Sequence, residues 1–202
     1  MIAPIDVSGV RLETERLLLR PWKPEDLSDF YEYARVDGVG QMAGWLPHKS
    51  MEESEEILNK FIEHKKTFAI VSKADGKAIG SVGIEPYGME EKLSEFFDYQ
   101  GREIGFVLSK DYWGRGLMTE AVIAVVSYCF DRLNYDFLLC GHYAFNTRSM
   151  RVQQKAGFVP YRKMTFDTKM GTKEKGILNL MTNPKKDVEL HFSHPETLII
   201  KT

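Results

Sequence analysis

The alternation of apolar and polar positions along the chain predicts helices and strands in mixed order. Residues 14–20 are apolar-rich and of strand length, and Pro24 then occupies a typical first position of a helix that ends at Gly38. The apolar stripe of this helix has helical spacing and consists of Leu27, Phe30, Tyr31 and Ala34. A capping box at Ser50 and Glu53 predicts a second helix, with an apolar face of Ile57, Leu58, Phe61 and Ile62.

A hairpin and a long connection follow. Residues 67–73 and 78–85 are predicted to be antiparallel strands, because the turn Ala74-Asp75-Gly76-Lys77 between them is typical of a hairpin. The connection 86–101 is unusually long, and its residues 89–97 are a candidate helix.

The most informative stretch is 102–130. Residues 103–108 are rich in β-branched and aromatic side chains and predict a strand, in which Gly105 indicates a bulge or a close backbone approach. Gly114 and Gly116 then predict a tight turn. Residues 117–130 form an apolar run that is too long for a typical strand and too short to span a bilayer, so it predicts a buried helix.

Such a strand-turn-helix junction has a chemical consequence. The first N–H groups of the helix lack internal partners and lie at the positive end of its dipole, and glycines let a phosphate approach the backbone. The alternative is an ordinary turn that needs glycine for its positive φ. No Gly-Lys-Ser/Thr follows the turn, and Thr119 replaces the third glycine of a dinucleotide fingerprint, so a diphosphate held by backbone alone is the remaining ligand.

The C-terminal third predicts a strand at 137–143, a helix at 146–155 capped by Gly157, and strands at 158–166 and 175–181. Cys129 and Cys140 lie in apolar runs and are predicted to be buried core residues, and His142 is interpreted as structural. No Cys/His cluster has metal-ligand spacing, so no metal site is expected. The tail 183–202 has no assigned role.

Composition narrows the class of protein. With 202 residues, of which 43% are hydrophobic, the chain is predicted to form a single domain, 1–202, with a core at about 12–181. With a net charge of −2, the protein lacks the excess of positive charge that attracts nucleic acid, so nucleic acid is not an expected partner. No secretory or transmembrane segment is recognised, so a cytoplasmic protein without a membrane partner is expected. The expected oligomeric state is a monomer or a homodimer.

Three segments, EIGF at 103–106, WGRGLMTEA at 113–121 and NTRSMRVQQKAGF at 146–158, resemble the GCN5-related N-acetyltransferases (GNAT), in particular the ribosomal-protein N-terminal acetyltransferases. The resemblance extends over roughly residues 12–181. It implies an α/β fold of the α+β type, with a central mixed, mostly antiparallel twisted sheet flanked by about four helices. It also implies acetyl-CoA as donor and a primary amine as acceptor, either a protein N-terminus or a small molecule.

The resemblance also implies site residues. Glu103 is the candidate base, acting through a water, with a solvated or ion-paired strand-end glutamate as the alternative. Ser149 matches a serine that faces the thiol sulfur, with a first-turn helix serine as the alternative. Backbone N–H groups around residues 106–108 would polarise the acetyl carbonyl. The implied cofactor-binding residues are Phe106, Val107, Leu108, Trp113, Gly114, Arg115, Gly116, Leu117, Met118, Thr119, Asn146 and Ser149.

Two positions depart from the family pattern. Asp111 stands where Gln or Arg is common, and Gln153 stands where many members have Tyr. They keep a second hypothesis open, a non-catalytic acyl-CoA-binding module.

The acceptor cleft is expected to lie between two segments. Residues 36–49 carry Trp45, Leu46, Pro47 and His48, and residues 86–101 carry Phe96, Phe97 and Tyr99. The surroundings of the second segment are acidic, with Glu85, Glu90, Glu91, Glu95 and Asp98 against Lys92. An acidic wall would favour a cationic amine; the alternative is a solvated surface helix.

Overall fold

The computed structural model describes residues 1–87 and 93–189. Their strands form one eight-stranded sheet in the order β1-β2-β3-β4-β5-β6-β8-β7. The strands are β1 (Leu12–Glu13), β2 (Leu17–Pro21), β3 (Thr67–Ser72), β4 (Ala78–Glu85), β5 (Gly101–Leu108), β6 (Phe137–Tyr143), β7 (Val159–Asp167) and β8 (Lys173–Thr182). Within these strands only β5 and β6 pair in parallel, which confirms the expected mixed, mostly antiparallel sheet.

Four α-helices in the described residues flank the sheet, as expected: α1 (Leu27–Ala34), α2 (Met51–His64), α3 (Leu117–Asp131) and α4 (Thr147–Ala156). The predicted caps are present. Ser50 accepts a hydrogen bond from the Glu53 N–H, and Gly157 ends α4 in the left-handed conformation. The candidate helix 89–97 lies partly outside the described residues; of its remainder, Ser94–Phe96 is a single 3-10 turn.

The helices cover both faces of the sheet. Buried residues of α3 share one core with β2 to β6, and α4 packs on the same side through Val152 and Ala156. The helices α1 and α2 share a second core with β3 on the other face. Packing begins before residue 12, because Ala3 and Val7 are fully buried in the first core and the buried Arg102 donates to the Ala3 carbonyl at 2.6 Å.

Three local expectations were wrong. The second strand begins at Leu17 rather than at 14, because Thr14 turns back and donates its N–H to the Leu17 carbonyl. Helix α1 ends at Ala34, and Gly38 lies in the turn beyond it. Gly105 does not form a bulge, because it pairs in regular register with Gly83; apart from its chain neighbours, no described residue comes within 4 Å of the position that a Cβ would take.

Candidate active site

The sheet opens between β5 and β6. These strands pair from Gly101 opposite Phe137 to Glu103 opposite Leu139, and beyond that point they separate. The separation opens into a cleft with a volume of about 520 Å³. Its lining includes every site residue expected from the sequence except Arg115: Glu103, Phe106, Val107, Leu108, Trp113, Gly114, Gly116, Leu117, Met118, Thr119, Asn146 and Ser149.

Backbone donors of β5 alternate between β4 and the cleft. The Ser109 N–H donates to the Ile79 carbonyl at 2.7 Å, and antiparallel bonding alternates along the strand, so the N–H of Val107 is directed to β4. The N–H groups of Phe106 and Leu108 therefore point toward the side from which β6 has departed. Val107 offers the cleft its side chain only.

Glu103 stands at the point where the strands separate. It is half-buried and lies directly opposite Glu85 on β4. Burial is the main cause that raises the pKa of Glu103 to about 7; repulsion from Glu85 adds to it, and a hydrogen bond from the Gly141 N–H opposes it. Because Glu85 is paired with Lys66, Glu103 is the carboxyl group available to the cleft, and it ionises near neutral pH.

The glycine turn has the geometry of an anion site. Gly114 and Gly116 have φ of 76° and 78°, a region that L side chains rarely adopt. Gly116 is the N-cap of α3, and the Glu120 N–H donates back to its carbonyl at 3.1 Å, so the N–H groups of the three residues between have no intrahelical partner. The Arg16 side chain stabilises the turn by donating to the Arg115 carbonyl at 2.9 Å and to Glu120 Oε2 at 2.7 Å.

Trp113 connects the turn to the strand and to α4. Its Nε1 donates to the Leu108 carbonyl at 2.8 Å, and the Arg148 guanidinium lies 4.8 Å from the centre of its ring. Arg115 stacks on Tyr112 instead, and its backbone contributes to the turn. Asp111 is exposed in a 3-10 turn and does not line the cleft.

Three cationic side chains on α4 were missed by sequence analysis. Arg148, Arg151 and Lys155 all line the cleft that the glycine turn also lines. Their spacing of three and four residues places them on one helix face, and this spacing was the available signal. Free backbone donors at the glycine turn together with three cations on α4 fit the phosphates of CoA.

Asn146 caps the start of α4, and Ser149 lies in its first turn; both line the cleft. Asn146 Oδ1 accepts from the Ser149 N–H at 3.1 Å, which confirms the predicted N-cap, and its Nδ2 donates to the Met42 carbonyl at 3.1 Å. Ser149 Oγ accepts from Gln153 Nε2 at 3.0 Å. The helix start is therefore tied both to the segment 36–49 and to the interior.

The expected acceptor segments contribute unequally. From residues 36–49, Val39, Met42 and Ala43 line the cleft. Trp45 and His48 instead pack on each other, with ring centres 5.0 Å apart, and His48 packs against Phe30 of α1. The segment 36–49 therefore lines the cleft, as expected, whereas its aromatic residues do not.

The acidic segment fails as a cleft wall where it is described. Glu95 is bound by Arg162 at 2.6 Å, Glu85 is bound by Lys66, and neither lines the cleft. Phe96 is fully buried and stacks on Phe137 rather than being exposed. These charges serve ion pairs because the segment packs onto the sheet. Glu90 and Glu91 lie outside the described residues.

Other groups have structural surroundings. Cys129 and Cys140 are free and buried, as predicted. His142 is buried beside Asn179, and burial lowers its pKa. Among residues 1–87 and 93–189, no cluster of three His, Cys, Asp or Glu side chains suits a metal ion, and no helix has the length and hydropathy to cross a bilayer.

Comparisons with known proteins agree with this geometry. The sequence matches the family described as Acetyltransferase (GNAT) domain over residues 16–159. It is 35% identical over 133 residues to the probable N-acetyltransferase YjcK of Bacillus subtilis, covering 64% of this chain and 67% of that protein. It is 25% identical to the spermidine N(1)-acetyltransferase of Escherichia coli K12, covering 69% and 71%. A ribosomal-protein-S5-alanine acetyltransferase from Vibrio fischeri has a similar fold, with a TM-score of 0.67 at 23% identity, over 90% of this chain and 100% of that one.

Proposed function

The chain belongs to the GNAT acetyltransferase family, and from that premise we propose that it transfers the acetyl group of acetyl-CoA to a primary amine by direct attack in the cleft between β5 and β6. The observation that carries the proposal is Glu103, whose pKa is raised to about 7 at the point where the two strands separate. A carboxyl group poised near neutral pH suits proton removal from an attacking amine.

Binding of acetyl-CoA is assigned to the glycine turn and to the cationic face of α4. The glycine turn and the start of α3 present backbone donors to the diphosphate, while Arg148, Arg151 and Lys155 supply positive charge. When bound, acetyl-CoA supplies an activated acetyl thioester. The space left by Gly105 on the cleft side of β5 suits close passage of an extended arm.

Two groups of the chain then act on the reacting atoms. Above pH 7 the Glu103 carboxylate accepts a proton from the acceptor ammonium, directly or through a water. The N–H groups of Phe106 and Leu108, which β6 does not use, stabilise the negative charge that develops on the acetyl oxygen. α-Amines have a pKa of about 8 and alkyl amines about 10, so the free energy of proton transfer to Glu103 is less unfavourable from an α-amine.

The residues that line the cleft near Glu103 indicate which class of acceptor fits. Val39, Met42, Ala43 and Phe166 are apolar, and Glu103 is the single carboxylate among the described lining residues. This favours an acceptor with one amine on an apolar body, such as a peptide N-terminus or an arylalkylamine, over a polyamine that needs several anionic partners. The alternative, a non-catalytic acyl-CoA-binding module, is less well supported, since the family and the named relatives are acetyltransferases.

Release of CoA thiol from acetyl-CoA, measured over a panel of acceptors, tests both points. The panel contains short peptides with apolar N-terminal residues, an arylalkylamine and spermidine. The expected result is amine-dependent thiol release with the highest kcat/KM for a single amine on an apolar body. Cofactor binding without amine-dependent release would contradict the enzyme proposal, and the highest kcat/KM for spermidine would contradict the acceptor class.

A further inference from the structure

A buried amide network lies beneath Ser149. Gln153 and Asn179 are only 1% and 3% exposed, so every polar atom they carry needs a partner inside the protein. Gln153 Nε2 lies 3.0 Å from the Gly141 carbonyl and 3.0 Å from Ser149 Oγ. Gln153 Oε1 lies 2.5 Å from Asn179 Nδ2, which also lies 3.3 Å from the Cys140 carbonyl.

Two backbone carbonyls fix the orientation of both amides in this network, and His142 Nδ1 lies beside them, 3.0 Å from Asn179 Nδ2 and 3.4 Å from Gln153 Oε1. A carbonyl oxygen only accepts, so the Gln153 nitrogen faces Gly141 and the Asn179 nitrogen faces Cys140. Gln153 then donates its second N–H to Ser149 Oγ. Because that oxygen is already an acceptor, the hydroxyl proton of Ser149 is left for another partner.

We propose that Gln153 is a positioning residue that makes the Ser149 hydroxyl a hydrogen-bond donor toward the sulfur of CoA. The inference rests on the proposed function, since it concerns how the thiolate leaves. The residue occupies the place where relatives commonly have a tyrosine, and here it acts through its neighbour one helical turn earlier. Ser149 lines the cleft, whereas Gln153 does not.

The chemistry limits the role to hydrogen bonding. As the carbon–sulfur bond breaks, sulfur keeps the electron pair and leaves as a thiolate, and the new carbon–nitrogen bond forms with loss of an amine proton to Glu103 or water. A serine hydroxyl is a much weaker acid than a thiol, so Ser149 keeps its proton and stabilises the thiolate by donation. The thiolate, whose ordinary pKa resembles the cysteine value of roughly 8.5, is finally protonated from solvent.

The simpler reading is that Gln153 only satisfies the interior. That reading predicts that its loss lowers stability without acting through Ser149. The two readings differ in a property that needs no turnover, the ionisation of the thiol of bound CoA.

The test is an ultraviolet titration of the CoA thiolate in the binary complex, for wild type, Ser149→Ala, Gln153→Met and the double variant. Loss of one donor to a charged sulfur should raise the thiol pKa by about 1–2 units in each single variant. In the double variant the thiol pKa should be no higher than in Ser149→Ala. Single-turnover acetyl transfer should fall about 10- to 100-fold in the same pattern.

Two variants complete the design. Gln154→Met, on the exposed face of the same helix, is the matched control and should titrate as wild type. If circular dichroism shows that Gln153→Met does not fold, Gln153→Glu is used instead. It keeps the shape of the side chain, and its ionised carboxylate can only accept a hydrogen bond from Ser149. The effect of the added charge is measured by the same change in the Ser149→Ala background. The proposal would be overturned if the Gln153 substitution raised the thiol pKa equally in the wild-type and the Ser149→Ala backgrounds. An unchanged thiol pKa in either single variant would also overturn it. Since the titration uses CoA alone, its outcome is separate from whether any amine is acetylated.

Discussion

Replacement of Glu103 by glutamine should stabilise the protein above neutral pH. In the folded state burial and Glu85 raise the pKa of Glu103 from 4.5 to about 7. Between these values the folded protein holds a proton that the unfolded chain has released, so the contribution of Glu103 to the free energy of unfolding falls as pH rises. Glutamine has the same shape and does not ionise, which removes that dependence.

The size of the effect follows from the two pKa values. Each pH unit between 4.5 and about 7 costs the wild type about 1.36 kcal/mol, so the total is about 3 kcal/mol. Below pH 4.5 both proteins carry a neutral side chain, and their stabilities should be similar. Above pH 7 Glu103→Gln should be more stable by about 3 kcal/mol, or roughly 6–12 °C in Tm for a chain of this size.

Urea unfolding of both proteins at a series of pH values measures this difference directly. Subtracting the two curves cancels the titration of groups that do not interact with Glu103, and Glu55→Gln on the exposed face of α2 is the control for the substitution itself. A constant difference across the pH range would refute the reasoning, because it would mean that Glu103 ionises in the folded protein as it does in the unfolded one.

Three further predictions concern the rest of the cleft. Gly116→Val should cost about 1–3 kcal/mol of stability, because valine is strained at φ 78°, and calorimetry should show CoA affinity lowered at least about 10-fold. Arg151→Ala with Lys155→Ala should weaken CoA binding and reduce its salt dependence, whereas an unchanged salt slope would argue that both side chains only face solvent. Asn146→Ala should cost about 1 kcal/mol through loss of the α4 cap and also free the Met42 carbonyl, measurable as a lower urea midpoint with an unchanged slope.

Local signals predicted the elements that form the site. The glycine turn, the apolar α3 and the Asn146 cap of α4 were placed correctly, because positive φ, helix length and capping depend on nearby residues. The family resemblance supplied the mixed, mostly antiparallel sheet around them, but not the order of its strands. These features depend little on packing between distant segments.

Features that depend on tertiary packing were not predictable. The burial of Phe96 against Phe137, and the pairing of Glu95 with Arg162, join positions far apart in sequence, so an acidic aromatic segment looked exposed. The hydrogen-bond network of Gln153 was missed for the same reason, since its partners Gly141 and Asn179 lie on β6 and β8. From the sequence alone, glutamine in place of tyrosine indicated only that an acidic group is missing, because its hydrogen-bond partners were not known.

The central claim, that Glu103 is the base, is tested most directly by the ratio of wild-type to Glu103→Gln acetylation rates against pH, using an alkyl amine of pKa about 10. Below pH 7 the ionised fraction of Glu103 falls about tenfold per pH unit, so the ratio should decrease and approach one at about pH 5. Between pH 7 and the amine pKa the carboxylate accepts the proton, and the ratio should rise to about 100 or more. It should fall again once the amine is deprotonated by solvent. A ratio that stays constant from acid to alkaline pH would contradict the account.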